Sequence, residues 1–385
     1  MKSFRICIIS FSNLKNDPRV RRQIDLLKDI YDVTTLGLKK SGVKGVDEFI
    51  IPTKRSIITK IRSRLTFLIA RFFQGLYTKY IEIKYPLNTI LKIISDKNFD
   101  LVIANGLGAL IVAERIARRD GAKILFDAHE YEPRRIEDHW FHRLFINPHN
   151  AFLCNKYLPH ASYMTTVSFG IANEYNKSYG ISPEVIFNAP EYERVNLKEV
   201  EKDNIRMIHH GVAHPSRKLE DMIHLMNFLE KRFHLTLMLV ESDTRYYNYL
   251  KKLSNKLCPS KVAFREPVSF NEIISTISNY DIGLIILRPT SFKLKHALPN
   301  KFFESIMAGL ALVIGPSPEM KNIIEKFNCG VFSNSFNVKE IAKLINSLTP
   351  KQIMEKKKGS LEAAKFLNSE IEMKKLHRIV RMILS

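Results

Sequence analysis

Residues 5–36 read RICIISFSNLKNDPRVRRQIDLLKDIYDVTTL and contain one complete strand–helix–strand pattern. The apolar run Ile6–Ile9 is continuous, which is typical of a strand that is buried on both faces. Asp17 and Pro18 then open a helix, with Asp as the N-cap and Pro at the first helical position. A second strand is expected from Tyr31 to Leu36. The pattern predicts a parallel sheet with helices on its faces.

The same alternation continues to the end of the chain and restarts once. At 385 residues, two domains are the expectation for a chain of this length. Further strands are predicted at 101–104, 123–126, 163–167, 185–187, 205–209, 235–240, 262–264, 282–287 and 312–314. We predict an N-terminal domain at 1–192, a linker at 193–204, a second domain at 205–368 and a final helix at 369–385.

Composition limits the class of protein. The chain is 45 % apolar, which is enough for a globular core. The longest apolar candidate for a membrane span, residues 65–77, is interrupted by Arg71. The N-terminal apolar run is too short for a signal peptide. The four cysteines are far apart in sequence and form no CxxC pair. We therefore expect a cytoplasmic protein without a disulfide framework or zinc site.

The net charge is +21, from 60 Lys and Arg against 39 Asp and Glu. Such a surface favours anionic partners, although drift in composition is a partial alternative explanation. The basic residues are dispersed and form no recognised nucleic-acid module, so no nucleic-acid partner is expected.

Residues 51–80 are unusual because they carry basic and large apolar side chains but no acidic one. This pattern predicts a basic amphipathic helix that lies on an anionic bilayer, at the inner face of the plasma membrane. The alternative is a packing helix whose outer face is basic. The basic residues are Lys54, Arg55, Lys60, Arg62, Arg64, Arg71 and Lys79.

Several nucleotide-binding signatures are absent from the sequence. It contains no GxxxxGK[ST], no GxGxxG after the first strand and no HExxH, and only 15 glycines. A P-loop NTPase or a dinucleotide oxidoreductase is therefore poorly supported. Any phosphate group must be bound by side chains and helix N-termini.

In the N-terminal half, candidate residues follow two predicted strands. Asn13, Arg19 and Arg22 lie after the first strand, and arginines in the first turn of a helix are unfavourable unless an anion is held there. A solvated surface is the alternative. His129 and Glu130 follow the strand at 123–126, where they could orient hydroxyl groups or move protons.

In the C-terminal half, Arg217 and Lys218 follow the strand at 205–209 and are expected to open a helix from 218 to 231. Lys301 and Glu304 share one face of a later helix. A cation for phosphate and a carboxylate for ribose hydroxyls are the groups that a nucleotide needs. The alternative for this pair is an i,i+3 salt bridge.

The order and spacing of these motifs resemble the family 4 retaining glycosyltransferases of bacterial cell-surface polysaccharide synthesis, over nearly the whole chain. The motifs are NDPRVRR at 16–22, DAHE at 127–130, TVS to VIFNAP at 166–190, G…RxLE at 211–220, YDIGL at 280–284 and LPNKFFESIMAGL at 298–310. The resemblance implies an α/β GT-B fold with two Rossmann-like domains facing a cleft. It also implies that the C-terminal helix crosses back to the N-terminal domain.

The resemblance assigns roles to individual positions. Arg217 and Lys301 would hold the donor diphosphate, with Lys218 as the competitor of Arg217. Glu304 would bind ribose, and His129 would lie near the transferring sugar. Two further positions would contribute to donor binding: Asn300, and His296, which stands where the family often has a glutamate.

The implied activity is retaining transfer of a sugar from a nucleotide-sugar to a glycan or polyprenyl-linked acceptor. Paired cations and the absence of a DxD motif predict that neither a metal nor a cofactor is needed. A nucleotide-sugar 2-epimerase of the same architecture is the alternative enzyme. A basic nucleic-acid-binding protein is the non-enzymatic one.

Overall fold

The computed structural model describes residues 4–52, 56–137 and 139–385. The basic residues Lys54 and Arg55 of the predicted membrane segment lie outside them. The chain divides into two compact units. The first contains the residues up to Ile186, Ser291–Lys293 and Met373–Ser385, and the second contains Phe187–Thr290 and Leu294–Glu372.

The first unit is built on a seven-stranded sheet in which all strand pairs are parallel. The strands are β1 (Arg5–Ser10), β2 (Asp32–Gly37), β3 (Asp47–Ile50), β4 (Leu101–Asn105), β5 (Lys123–Ala128), β6 (Tyr163–Thr166) and β7 (Glu184–Val185). Their order in the sheet is β3-β2-β1-β4-β5-β6-β7.

Helices cover both faces of this sheet because β1 is apolar on both sides. Cys7 and Ile9 join one core cluster, whereas Ile6 and Ile8 point the other way into a second cluster. The predicted N-cap is confirmed, since the Asp17 carboxylate accepts from the Val20 backbone N–H. The helices are α1 (Pro18–Leu27), α2 (Ile57–Ala70), α3 (Leu76–Lys84), α4 (Leu87–Ile93), α5 (Leu107–Asp120), α6 (Asn147–Tyr157) and α7 (Phe169–Tyr179).

The second unit has a six-stranded parallel sheet with the order β10-β9-β8-β11-β12-β13. The strands are β8 (Ile205–Ala213), β9 (Phe233–Glu241), β10 (Val262–Arg265), β11 (Ile282–Ile285), β12 (Ala311–Ile314) and β13 (Gly330–Phe332). The remaining helices are α8 (Glu220–Met226), α9 (Thr244–Leu257), α10 (Ile273–Ile277), α11 (Phe292–Lys295), α12 (Asn300–Met307), α13 (Pro318–Phe327), α14 (Val338–Asn346), α15 (Pro350–Ala364) and α16 (Ser369–Leu384).

The last helix completes the core of the first unit. Leu376, Ile379 and Val380 of α16 are buried in the same cluster as Ile6 and Ile8 of β1. This packing agrees with the predicted return of the C-terminal helix. In the described stretch between β7 and β8, which includes the predicted linker at 193–204, the chain forms no helix or strand.

Several element predictions need correction. β8 continues to Ala213 instead of ending at His209, and α8 is confined to Glu220–Met226. The later start of α8 has a local cause, because Lys218 adopts a left-handed conformation with φ 51° and cannot open a helix. Among the described residues of the predicted membrane segment, Ile57–Ala70 form α2 and those from Leu76 onward belong to α3, so two helices stand where one was predicted. The edge strands β3 and β13 are short, and the sequence analysis missed them.

Within the described residues, no helix has both the length and the apolar character required to span a bilayer. The four cysteines, all described, are buried and free.

The second unit also contains a buried ion pair that belongs to the YDIGL motif. Lys357 is 1 % exposed, and its Nζ lies 3.1 Å from Oδ1 of Asp281 and donates to the backbone oxygens of Tyr280 and Lys198. The Asp281 carboxylate also accepts from the backbone N–H of Arg206. The motif therefore anchors α15 to the end of the sheet.

We expect Lys357→Met to destabilise the fold by about 3 kcal/mol, because it removes the buried cation from Asp281 and leaves the carboxylate only the partly exposed Arg206, at 3.5 Å. Urea unfolding measures this loss, and Asp281→Asn in the same chain should recover part of it. Lys358→Met, at an exposed neighbouring position, is the matched control and should change stability by less than about 0.5 kcal/mol. Equal effects of the two lysine substitutions would contradict the role of the pair.

Candidate functional site

Both sheets have the strand order of a doubly wound α/β fold. In the first sheet, β2 pairs with one side of β1 and β4 pairs with its other side. In the second sheet, β9 and β11 flank β8 in the same way. In such sheets ligands bind beyond the carboxyl ends of the strands at this switch point. All candidate residues lie in segments that follow β1, β5, β8 or β11.

The site of the second unit is organised around Lys301, in the first turn of α12. Its Nζ lies 3.0 Å from Nε2 of His209, and Nδ1 of His209 lies 2.8 Å from the backbone oxygen of Leu284. An ammonium can only donate, so Nε2 accepts and Nδ1–H donates to Leu284. Burial lowers the pKa of His209, and the charge of Lys301 lowers it further. His209 is therefore a neutral imidazole that holds the ammonium in place.

Arg217 adds a second positive charge to this site. Burial lowers the pKa of Lys301 to about 7, and the Arg217 guanidinium contributes to the shift. The backbone N–H of Arg217 donates to the His214 oxygen at 2.9 Å, but no residue in the described parts of the chain makes a hydrogen bond or ion pair with its guanidinium. Two neighbouring cations, one of them enclosed by protein, are unfavourable without an anion. The geometry therefore creates a place for a bound anion.

Glu304 is paired with His210 and not with Lys301. Oε2 of Glu304 lies 2.7 Å from Nε2 of His210, and both side chains are buried. The alternative of an i,i+3 salt bridge between Lys301 and Glu304 is therefore wrong. The contact holds the Glu304 carboxylate in a fixed orientation. The charge of Glu304 raises the pKa of Lys301, but it does not offset the lowering by burial and by Arg217.

Gly211 gives Lys301 the space that it occupies. Its φ is 135°, and a Cβ at this position would lie 2.7 Å from Nζ of Lys301. Sequence reasoning missed Gly211, His209 and His210 as site residues. The available signal was their position directly before the loop that carries Arg217.

Arg217 and Lys218, the two candidates for a cation that binds the diphosphate, have different surroundings. The Lys218 side chain is half-exposed, and its Nζ lies 3.8 Å from Glu220. Arg217 is the residue whose charge acts on both Lys301 and His209. We therefore assign the cation beside Lys301 to Arg217.

The other two donor-side candidates already have protein partners. Nδ1 of His296 lies 2.9 Å from Oε1 of Glu319, a buried carboxylate in the first turn of α13. Oδ1 of Asn300 accepts from Nδ2 of Asn188 at 2.6 Å. Glu319 supplies a carboxylate next to the position where the resemblance led us to expect one, and sequence reasoning did not find it.

In the first unit, the prediction for Arg19 is wrong. Arg19 is 5 % exposed, and its Nε and Nη2 donate to the two carboxylate oxygens of Asp127 at 2.6 and 2.7 Å. Nη1 donates to the backbone oxygen of Ile186. The anion beside Arg19 is thus the carboxylate of Asp127, and the Arg19 guanidinium is not available to bind a ligand.

Asp127 connects this buried pair to His129. Gln23 and Thr165 donate to its carboxylate, and Oδ2 lies 3.4 Å from Nε2 of His129. Burial alone would raise the pKa of Asp127, but the charge and hydrogen bonds of Arg19, with a smaller contribution from His129, hold it well below its usual range. Asp127 is therefore ionised and places its charge beside His129, whose Nε2 has no hydrogen-bond partner among the described residues. Its position at the end of β5 could have indicated this role.

His129 and Glu130 line a cavity of about 420 Å³ in the first unit. Glu130 forms ion pairs with Arg135, at 3.0 Å, and with Lys293. Asn105 and Gly106 at the end of β4 form another part of the wall.

The three candidates after β1 do not line this cavity. Asn13 has a buried amide oxygen that no described residue hydrogen-bonds. Arg22 lies half-buried on α1. Within the described ranges, no group of three or more His, Cys, Asp or Glu side chains could hold a metal ion.

Comparison with known proteins identifies the fold. No family model and no curated protein sequence matches the chain. HepE from Anabaena, solved in complex with UDP, is 12 % identical with a TM-score of 0.70, covering 98 % of this chain and 100 % of its own. Sucrose-phosphate synthase from Thermosynechococcus elongatus is 11 % identical with a TM-score of 0.72, covering 99 % of each chain. The fold is GT-B. A glycosyltransferase from Rickettsia africae also matches, at 13 % identity and a TM-score of 0.66, with both chains fully covered.

The buried ammonium predicts a pH dependence of diphosphate binding. The pKa of Lys301 is about 7 without ligand, so above this pH the free side chain is mostly neutral. A bound diphosphate stabilises the ammonium and raises its pKa. Binding between about pH 7 and 10 should therefore take up a proton, and affinity should fall by up to about tenfold per pH unit.

Calorimetric titration with nucleoside diphosphates in buffers of different ionisation enthalpy, near pH ~8.5, measures this uptake. Lys301→Arg is the matched variant, because a guanidinium stays charged and should remove the uptake. Binding by the unsubstituted protein without proton uptake would contradict the assignment.

Proposed function

We propose that this protein is a glycosyltransferase that moves a sugar from a nucleotide-sugar to a glycan or lipid-linked acceptor. The observation that carries the proposal is the buried Lys301 amine held by His209 at 3.0 Å, with the Arg217 guanidinium nearby, at the switch point of the second sheet. The GT-B fold supports it, as do matched structures of HepE in complex with UDP and with UDP-glucose.

In this proposal the second unit binds the donor. Arg217 and Lys301 contact the diphosphate, and Glu304, held by His210, accepts hydrogen bonds from the ribose hydroxyls. His209 keeps the Lys301 ammonium directed into the site. These groups are positioned before the substrate arrives, so little reorganisation is needed when charge develops on the leaving diphosphate.

The first unit supplies the acceptor side. His129, whose Nε2 lies 3.4 Å from Asp127, lines the cavity of this unit and would contact an acceptor hydroxyl there. In a retaining transfer the hydroxyl attacks from the face of the leaving group, and a diphosphate oxygen takes its proton. The retaining outcome, membership of family 4 and a role in bacterial cell-surface polysaccharide synthesis follow from the sequence resemblance and are part of the proposal.

One observation supports a 2-epimerase as the second candidate. Glu132 lines the same cavity, and burial raises the pKa of its carboxyl group. A carboxyl group with a raised pKa is better suited to act as a general acid than an ordinary one. Product analysis separates the two enzymes, because an epimerase changes the nucleotide-sugar without an acceptor.

The direct test combines ligand binding with a transfer assay. A nucleoside diphosphate that binds the folded protein should stabilise it by about 2.7 kcal/mol at a hundredfold excess over Kd. A thermal-shift panel of nucleoside diphosphates and nucleotide-sugars would identify the base, and transfer from the matching donor should survive EDTA. Loss of transfer on chelation, restored by Mg²⁺ or Mn²⁺, would contradict the metal-independent mechanism. No stabilisation by any member of the panel would overturn the proposal.

Two substitutions should separate donor binding from transfer. Arg217→Ala should weaken nucleoside diphosphate binding and reduce transfer by about 10²–10³-fold, because it removes one charge-stabilising group. His129→Ala should reduce transfer while leaving nucleoside diphosphate affinity unchanged, because it lies in the other unit. Titration calorimetry and initial rates on both variants provide the comparison. A parallel loss of affinity in His129→Ala would place that residue in the donor site instead.

A further inference from the structure

Helix α2 is amphipathic in an unusual sense, because its outer side is apolar. Successive residues are rotated by about 100°, which places Ser63, Phe67 and Ala70 together on the side that is buried. The opposite side is exposed to solvent, with Ile58 78 % and Leu65 56 % exposed. We call the exposed apolar set the outer face of α2. It consists of Ile57, Ile58, Ile61, Leu65, Leu68 and Ile69, together with Phe72 and Phe73 in the turn that follows.

The outer face of α2 has basic residues along its borders. Lys60 and Arg64 lie on one side of the apolar stripe and Arg62 on the other, and all three are exposed. No acidic residue occurs between positions 51 and 80. Arg71 differs from these residues, because its Nε donates to the backbone oxygen of Leu144 at 2.8 Å. It fixes the end of α2 and is not counted as a surface charge.

A second exposed apolar site lies beside this helix end. Trp140 is 62 % exposed and Leu144 is 46 % exposed, about one turn apart in the segment that Arg71 contacts. Tryptophan is enriched where proteins meet the headgroup region of a bilayer.

We propose that the outer face of α2 docks the protein on an anionic lipid bilayer. The apolar side chains would enter the interface, and the flanking basic residues would contact lipid phosphates. A second copy of the chain fits less well. A two-fold contact through this face would bring its own positive charges together. The charge pattern therefore favours an anionic surface over self-association.

The inner side of α2 links this surface to the cavity. The ring of Phe67 packs edge-on against His149 at 5.5 Å, and His149 lines the 420 Å³ cavity. A bilayer on the outer face would thus lie about one helix diameter, ~10–12 Å, from the cavity. This last step rests on the proposed function: a lipid-linked acceptor could reach His129 while its anchor stays in the membrane.

Vesicle co-sedimentation tests the docking directly. The full chain should bind vesicles of phosphatidylcholine mixed with phosphatidylglycerol, bind phosphatidylcholine alone more weakly, and lose binding as salt rises. Lys60→Gln with Arg62→Gln and Arg64→Gln should weaken binding by about a hundredfold, at about fivefold per charge. Ile58→Ser with Leu65→Ser and Phe72→Ser should also abolish most binding.

The matched control replaces three exposed basic residues elsewhere, with Arg245→Gln, Lys252→Gln and Lys256→Gln on α9. It changes the net charge equally and should retain most of the binding. Equal loss in this control would mean that net charge alone acts, which would overturn the proposal. So would equal binding to both vesicle types, or absence of binding to either.

Light scattering after size exclusion examines self-association. A dimer that dissociates in the Ile58, Leu65 and Phe72 variant, without vesicle binding by the original chain, would identify a second copy as the occupant. Thermal shifts with nucleoside diphosphates should be unchanged in all these variants. The two proposals can therefore fail separately. Vesicle binding without nucleoside diphosphate binding would overturn the proposed glycosyltransferase activity. Nucleoside diphosphate binding without vesicle binding would overturn the proposed docking surface.

Discussion

Parallel pairing of every strand is the constraint on which the rest of this structure depends. After each parallel strand the chain must cross a face of the sheet before it can pair again, so both faces are covered and the central strands β1 and β4 are buried on both sides. All carboxyl ends then lie at one edge, and polar groups excluded from the interior collect there. The segments after β1, β5, β8 and β11 carry the candidate residues for this reason.

Arg19 and Lys301 are both buried cations near the carboxyl ends of the strands, but their surroundings are opposite. Arg19 is satisfied within the protein by the Asp127 carboxylate, and the pair stabilises the strand ends around His129. Lys301 has a neutral imidazole as its neighbour, and Arg217 adds to its unfavourable environment. A buried charge with a partner supports structure, whereas a buried charge without one favours a ligand.

The features that depend only on residues close together in the sequence could be predicted from it. The strand β1, the Asp17 cap and the placement of candidate residues after strands follow from local pattern, and the structure agrees with them. The partner of Arg19 could not be predicted, because Asp127 lies 108 positions away and nothing local distinguishes an internal carboxylate from a bound anion.

Long-range contacts also explain the missed residues of the second unit. His209 and His210 belong to the site only because β8 and α12 are brought together, and Glu319 because His296 reaches α13. In α2, the sequence showed apolar and basic residues but not which apolar side chains face the core. The orientation of the helix depends on the packing of Phe67 against His149, which is settled only in the folded chain.

The packing of α16 has a consequence for the order of events during synthesis. Ile6 and Ile8 leave the ribosome long before Leu376, Ile379 and Val380, which close the core around them. Domains usually fold in the order in which they are translated. Here the first unit to emerge lacks part of its interior until translation has passed residue 380, and meanwhile it exposes a strip of apolar surface. The second unit, whose own core draws on residues 205–353, can be completed earlier. Of the two units, the one whose sheet is translated earlier is therefore completed later, and chaperones have the longer opportunity to act on it.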